Sequence, residues 1–189
     1  DDEPLPNEFL CPITQEMMVD PVILSDGHTY ERSAIQTWFD TNPFKRSPMS
    51  NEILSNTTLT TNHALKKMID RHRSKFSRKL LALCETGPNS SMQLEELIER
   101  GADANARDSN GNTSVMLLLL KDHPGCIRAM VRLGASVLYR NDQGQSLLDM
   151  ARSKMPRDET IVNLVHKLEI AEKREAEVEA EAEENRRSS

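Results

Sequence analysis

The sequence predicts an α+β fold class in more than one compact part, and three observations carry that expectation. Residues 5–73 alternate short apolar runs with turn signals. Residues 74–168 show helical apolar spacing broken by polar turns, and within them a glycine pattern returns after 33 residues. The divisions that follow are an acidic lead at 1–4, a mixed domain at 5–73, a helical domain at 74–168 and an acidic, helical or disordered tail at 169–189. A chain of 189 residues suffices for one or two cores but not for a large enzyme.

In the first domain Val22, Ile23 and Leu24 form an apolar run, Asp26-Gly27 supplies a turn, and His28 to Tyr30 returns, which predicts a hairpin. Thr29 is the expected cap of a helix whose buried face is Ala34, Ile35, Trp38 and Phe39, ending at Asn42-Pro43. A polar loop, "NPFKRSPMS", leads through Leu54 and Leu59 to a helix capped by Asn62, with Leu65, Met68 and Ile69 on one side. No glycine or proline occurs between Asn62 and Thr86, so one nearly continuous helix is expected there, with breakers returning at Gly87-Pro88.

Cys11-Pro12, followed by His28, opens like half of a zinc site, but the ligands run out. Residues 5–73 offer Cys11, His28, His63 and His72, whereas a cross-braced pair of tetrahedral sites takes about eight ligands. Neither metal nor cofactor is expected. Glu16, Asp20, Ser25, Asp26, Glu31 and Arg32 are the polar groups expected to brace the loops instead. Cys11 reads as a small buried hydrophobe rather than a nucleophile, since no base or cation is evident near it, and Cys84 and Cys126, on helical faces, are read the same way.

The blocks "CPIT", "DPVILSDGHTYER", "AIQTWF", "RSPMS" and "TTNHALKKMI", in this order, closely resemble the U-box family. The resemblance implies a zinc-free RING-like fold and ubiquitin-ligase activity without a covalent intermediate. It implies a ubiquitin-conjugating enzyme docked on Ile13, Trp38, Pro43 and Pro48, and Arg46 as the catalytic residue that orients the ubiquitin thioester. A guanidinium suits that role because its fork of donors can bond carbonyls of two proteins at once. The alternative is a non-catalytic interaction scaffold that keeps the U-box fold, although such a scaffold could have lost Ile13, Pro43, Arg46 and Pro48 without cost.

In the helical domain "RGADANARDSNGNTS" aligns with "LGASVLYRNDQGQSL": Gly101 with Gly134, Ala102 with Ala135, Gly111 with Gly144. The apolar pair Leu97-Ile98 likewise recurs as Met130-Val131. This pattern resembles the ankyrin repeat, with departures at Thr113-Ser114-Val115-Met116 and Ser146-Leu147-Leu148-Asp149. Lys167 stands where a third glycine would fall, so the array is expected to end with the helix around Ile161 to Leu168. Ankyrin arrays bind proteins through their turn tips. The resemblance therefore implies an unidentified protein substrate at Asp108, Asn110 and Asn112, and one repeat later at Arg140, Asn141 and Asp142.

The net charge of −6, much of it in the last twenty residues, argues against nucleic acid as a partner. No apolar run approaches the ~18 residues of a membrane span. Three widely spaced cysteines, and no secretory signal pattern at the start, lead to the expectation of a reducing compartment. That is the cytoplasm or nucleus of a eukaryotic cell, a place that a bacterial protein delivered to a host would share. The tail from Glu169 reads as solvated, with a weak coiled-coil spacing at Leu164, Leu168, Ala171 and Val178.

Overall fold

Pro21–Ile23 (β1) and Thr29–Glu31 (β2) pair antiparallel, with Val22 opposite Tyr30. The turn between them is closed by Gly27 at φ +81° and by Asp26, whose Oδ1 accepts the His28 N–H at 2.9 Å. The computed structural model describes residues 4–154 and 159–187, so the acidic lead lies outside it except for Pro4. The chain divides into two compact units, the first ending at Lys75 and the second beginning at Phe76.

In the first unit a third strand, Thr60–Thr61 (β3), joins the free edge of β1 and gives the order β2-β1-β3. This two-residue strand was not foreseen, because it carries no apolar alternation. Helix α1, Arg32–Thr41, follows β2 directly. Thr29 therefore does not cap it: Thr29 is committed to the strand, and Glu31 precedes the helix without a side-chain cap bond. Ile35 is buried, and Ala34, Trp38 and Phe39 pack around a core of Phe9, Cys11, Met18, Val22, Leu24, Tyr30 and Ile69.

Helix α2 runs without a break from His63 to Thr86, and the Asn62 Oδ1 accepts the Leu65 N–H at 3.1 Å as its cap. Leu65 and Ile69 belong to the first core, whereas Phe76, Leu80 and Cys84 belong to the second. Met68 departs from the expected face and is 48% exposed.

What holds the loops of the first unit is a set of polar contacts. The Glu31 carboxylate accepts the N–H groups of Val19 at 2.7 Å and Asp20 at 3.0 Å. Arg32 Nε donates to Asp20 at 2.6 Å, and its Nη2 donates to Thr61 Oγ1 at 2.9 Å. The hydrogen bond from Arg32 holds the Asp20 carboxyl below its ordinary value. On the other side, the Ser47 Oγ accepts the N–H groups of Met49 and Ser50, both at 3.1 Å, beneath the buried Tyr30 hydroxyl. Burial pushes the Tyr30 phenol up. Of the expected bracing groups, Glu16 contributes its backbone carbonyl, which accepts the Cys11 N–H, rather than its carboxylate. Tyr30, Ser47 and Thr61 belong to the network and were missed.

The second unit contains α3 (Ser91–Glu99), α4 (Ser114–Leu120), α5 (Pro124–Arg132), α6 (Leu147–Lys154) and α7 (Glu159–Arg187). The 33-residue spacing reappears as a repeated geometry. Gly101 and Gly134 both sit at φ +91°, one residue past a helix cap. Ala102 N–H reaches Leu97 O as Ala135 N–H reaches Met130 O, the paired bonds of a left-handed helix stop. The turns repeat as well. Asp108 Oδ1 accepts the N–H of Asn110 and Asn112, and Asn141 Oδ1 accepts those of Gln143 and Gln145.

The tail is fastened at its start, contrary to the expectation of a wholly solvated segment. Glu172 Oε2 accepts the Val137 N–H at 2.8 Å, and Leu168 packs on the core.

Three outcomes test this account. Among the described residues no three His, Cys, Asp or Glu side chains converge as metal ligands. Purified protein should therefore hold less than about one-tenth equivalent of zinc, and a chelator should leave its melting temperature unchanged. Ser47→Ala strands two backbone N–H groups and should cost ~1–3 kcal/mol in urea unfolding, more than Tyr30→Phe at ~0.5–1 kcal/mol. The reverse order would show that the hydroxyl pair, not the Ser47 cap, holds the loop. Gly111→Ala would bring a Cβ to 2.8 Å from the Asp142 backbone nitrogen at φ +73°, whereas at Gly144, φ +75°, nothing lies within 4 Å. The first should cost ~2 kcal/mol or more and the second ~1 kcal/mol; equal losses would mean that the two turns do not press together.

Candidate functional site

The first loop is drawn tight around Cys11. Its Sγ, fully buried, accepts the Glu31 N–H at 3.3 Å, its N–H donates to Glu16 O, and its carbonyl accepts the Gln15 N–H at 2.8 Å. Closing so short a loop forces Gln15 to φ +59°, and its Nε2 donates back to Pro12 O at 3.0 Å. Ile13 is left half-buried, with part of its side chain on the core and the rest in solvent. Cys11 has no access for a thioester. Burial pushes the Cys84 thiol up to about 12 and raises that of Cys126, so neither supplies a thiolate near neutral pH.

The second loop, residues 42–54, is built around Ser47, whose N–H donates to Glu52 O at 2.9 Å. It too takes left-handed residues, Lys45 at φ +46° and Asn51 at φ +59°. Non-glycine residues adopt this conformation only when their surroundings impose it. Three of the four in the described chain, Gln15, Lys45 and Asn51, fall in these two loops, so both loops are fixed shapes.

Arg46 stands exposed on the second loop, its Nη1 donating to Asn51 O at 2.7 Å. Its backbone carbonyl accepts the Trp38 indole N–H at 2.9 Å, which ties α1 to the loop. Trp38 thus spends its polar edge on positioning Arg46, and its ring is half-buried beside the first core. Pro43 is exposed and Pro48 half-buried on either side of Arg46. Ile13 and Trp38 pack on the same first core, and Trp38 and Arg46 share a bond.

Sequence reasoning missed Phe44, Met49 and Ile53, which are 75%, 55% and 69% exposed on the same loop. Their signal is three large apolar residues inside a Pro-, Asn- and Ser-rich stretch where no periodic element can bury them.

The turn-tip residues divide. Asn112 and Asn141 are buried, and Asn141 Nδ2 donates to Asn112 Oδ1 at 3.0 Å, so both are corrected from exposed binding groups to links between successive turns. Asp108 is half-buried; desolvation works to raise its carboxyl, and hydrogen bonds from Asn112 and Asn110 outweigh it and leave it lowered. Arg140 is exposed but bonded to Gly144 O and Asp149. Asn110 and Asp142 keep exposed side chains, and Arg107 lies over the Tyr139 ring at 4.9 Å nearby in the repeat.

Residues 5–78 match the family described as the U-box domain. The chain is 54% identical over 66 residues to WD repeat, SAM and U-box domain-containing protein 1 of Danio rerio, covering 35% of this chain and 13% of that protein. It is 51% identical over 67 residues to U-box domain-containing protein 12 of Oryza sativa subsp. japonica, covering 35% and 11%. Similarity to U-box domain-containing protein 13 of Arabidopsis thaliana, 32% identical over 143 residues, covers 69% of this chain and 21% of the relative, and so continues past the matched domain. The chain spans about a tenth to a fifth of these relatives. A three-stranded sheet with two loops braced by polar groups, and the family match over the same residues, give one conclusion: residues 5–78 are a U-box domain.

Proposed function

We propose that this chain is a ubiquitin ligase that acts by orientation. The observation that carries the reading is the U-box domain itself, since U-box proteins are generally ubiquitin ligases. In this reading a ubiquitin-conjugating enzyme docks across the two fixed loops, on Ile13, Trp38, Pro43 and Pro48, with Phe44 widening the apolar contact. Aromatic and apolar anchors exposed on rigid loops suit such a surface, because little entropy is lost when they are covered.

The chemistry belongs to the docked enzyme. A substrate lysine amine attacks the thioester carbonyl, an isopeptide bond forms and the cysteine thiolate leaves. Arg46 supplies no bond to that step. With one donor on Asn51 O and the rest free to reach outward, it holds ubiquitin and its carrier in the reactive pose, so that rate comes from restricted geometry. Domain boundaries near those expected, an ankyrin-like character for the second unit, and a cytoplasmic or nuclear location belong to the same proposal. The repeated turns and helix stops support the ankyrin-like reading, and Asn110, Arg140 and Asp142 are the remaining tip groups for recruiting a protein substrate.

Autoubiquitination over a panel of conjugating enzymes tests the activity, and silence across the panel favours the scaffold reading. Ile13→Ala should abolish chain formation with an unchanged circular dichroism spectrum. Arg46→Ala should keep affinity for the free conjugating enzyme within about twofold while thioester discharge slows roughly tenfold or more. Equal loss of binding in both variants would make Arg46 a contact residue instead.

A further inference from the structure

Two depressions lie side by side between α5 and α7 and share Val131 and Leu168 as a common floor. One, of about 470 Å³, is rimmed by Arg128, Arg132 and Lys167. The other, of about 340 Å³, is bordered by Glu172 and Glu175. The three cations are exposed, and none forms an ion pair or hydrogen bond among the described residues. An apolar floor with a basic end and an acidic end is complementary to its own copy turned about a two-fold axis.

Helix α7 supplies what such a pairing needs. From Glu175 to Glu184 the sequence has six glutamates and no lysine or arginine, with Val178 64% exposed among them. Ala182, four residues past Val178, leaves room on the same face for a neighbouring helix to approach. Leu164, Leu168, Ala171, Glu175 and Val178 step by four and three along α7, the spacing of a two-helix seam. The acidic segment cannot fold back onto its own groove. Glu179 lies twelve residues beyond Lys167 on one unbroken helix, about 18 Å further along its axis.

We propose that the chain pairs with a second copy through antiparallel α7 helices, the acidic segment around Glu175 and Glu179 of each seated between Arg128, Arg132 and Lys167 of the other. The reverse direction of the two helices sets the basic half of each beside the acidic half of its mate. A membrane is a poorer occupant, because the glutamates that continue along α7 would face the same anionic surface.

Sedimentation velocity on the 189-residue chain, over a series from micromolar to hundreds of micromolar, should show mass rising from 21.4 kDa toward twice that value, and retreating as salt is raised. Arg128→Glu with Arg132→Glu should weaken pairing at least about tenfold, as should Glu175→Arg with Glu179→Arg. Mixing the two variants should restore a heterodimer, because each then offers the charge that the other lacks. These positions are exposed, and circular dichroism checks that both variants stay folded. A chain that is monomeric throughout, a dimer indifferent to the substitutions, or a mixture that stays apart would overturn the proposal. So would pelleting with phosphatidylserine vesicles that depends on Arg128 and Arg132, which would give the groove to lipid. None of the substitutions touches the two U-box loops, so thioester discharge reports separately on the ligase reading.

Discussion

The carboxylate of Glu31 holds the N–H groups of Val19 and Asp20, and while it does so the first loop cannot leave the sheet. Its own N–H meanwhile donates to Cys11 Sγ, so one residue clamps both ends of the segment that carries Ile13. A structural zinc ion would concentrate on the order of 10–16 kcal/mol in one site. Here each buried bond contributes ~1 kcal/mol, somewhat more where a carboxylate accepts. Many modest bonds must therefore be made together, and the loop keeps its shape only as their sum.

The second unit meets the same demand with backbone geometry. Its turns are closed by side-chain oxygens that accept two N–H groups each, and stacked through the Asn141–Asn112 bond. The two turns differ where α4 and α6 begin. Ser146 exchanges hydrogen bonds with Asp149, whereas one repeat earlier Met116 stands in the place of Asp149 and the buried Thr113 hydroxyl has no partner among the described residues. That orphan costs ~1–3 kcal/mol. The burial of Val115, Met116, Leu117, Leu118 and Leu119 in one helix offsets it, since each fully buried aliphatic contributes ~1.5–3 kcal/mol. The more polar helix keeps its cap and the more apolar one dispenses with it.

Features whose cause is local were legible in the sequence. The Asp26-Gly27 turn, the Asn62 cap, the absence of breakers along α2 and the glycine helix stops all follow from one residue's backbone freedom or a side chain's reach of a few residues. Features whose partners lie far apart were not. Strand β3 exists because Val22 needs a second neighbour, and nothing within Thr60-Thr61 announces it. Ser47 looked like any loop serine until Tyr30, seventeen positions earlier, came to lie over it. Asn112 and Asn141 looked like exposed tip residues because asparagine in a turn usually is; only their stacking, 29 residues apart, turns them inward.

Because the proposed chemistry takes place on a docked partner, every contribution this chain makes is positional, and the distinction between scaffold and catalyst becomes thin. Trp38 illustrates it. The indole N–H fixes the Arg46 backbone, while the ring packs on the core that also holds Ile13, so a single side chain ties the second loop to that core. Without that bond the loop would keep its internal ties, among them Leu54 N–H to Lys45 O and Arg46 Nη1 to Asn51 O, but would lose its hydrogen bond to α1. An orienting guanidinium gains rate only in proportion to how little its own anchor moves. The left-handed Lys45 and Asn51 on either side of Arg46 point the same way, since strained backbone persists only where neighbours over-determine it. The polar bracing of the two loops is, on that reasoning, what would let a loop arginine play the orienting role proposed for Arg46.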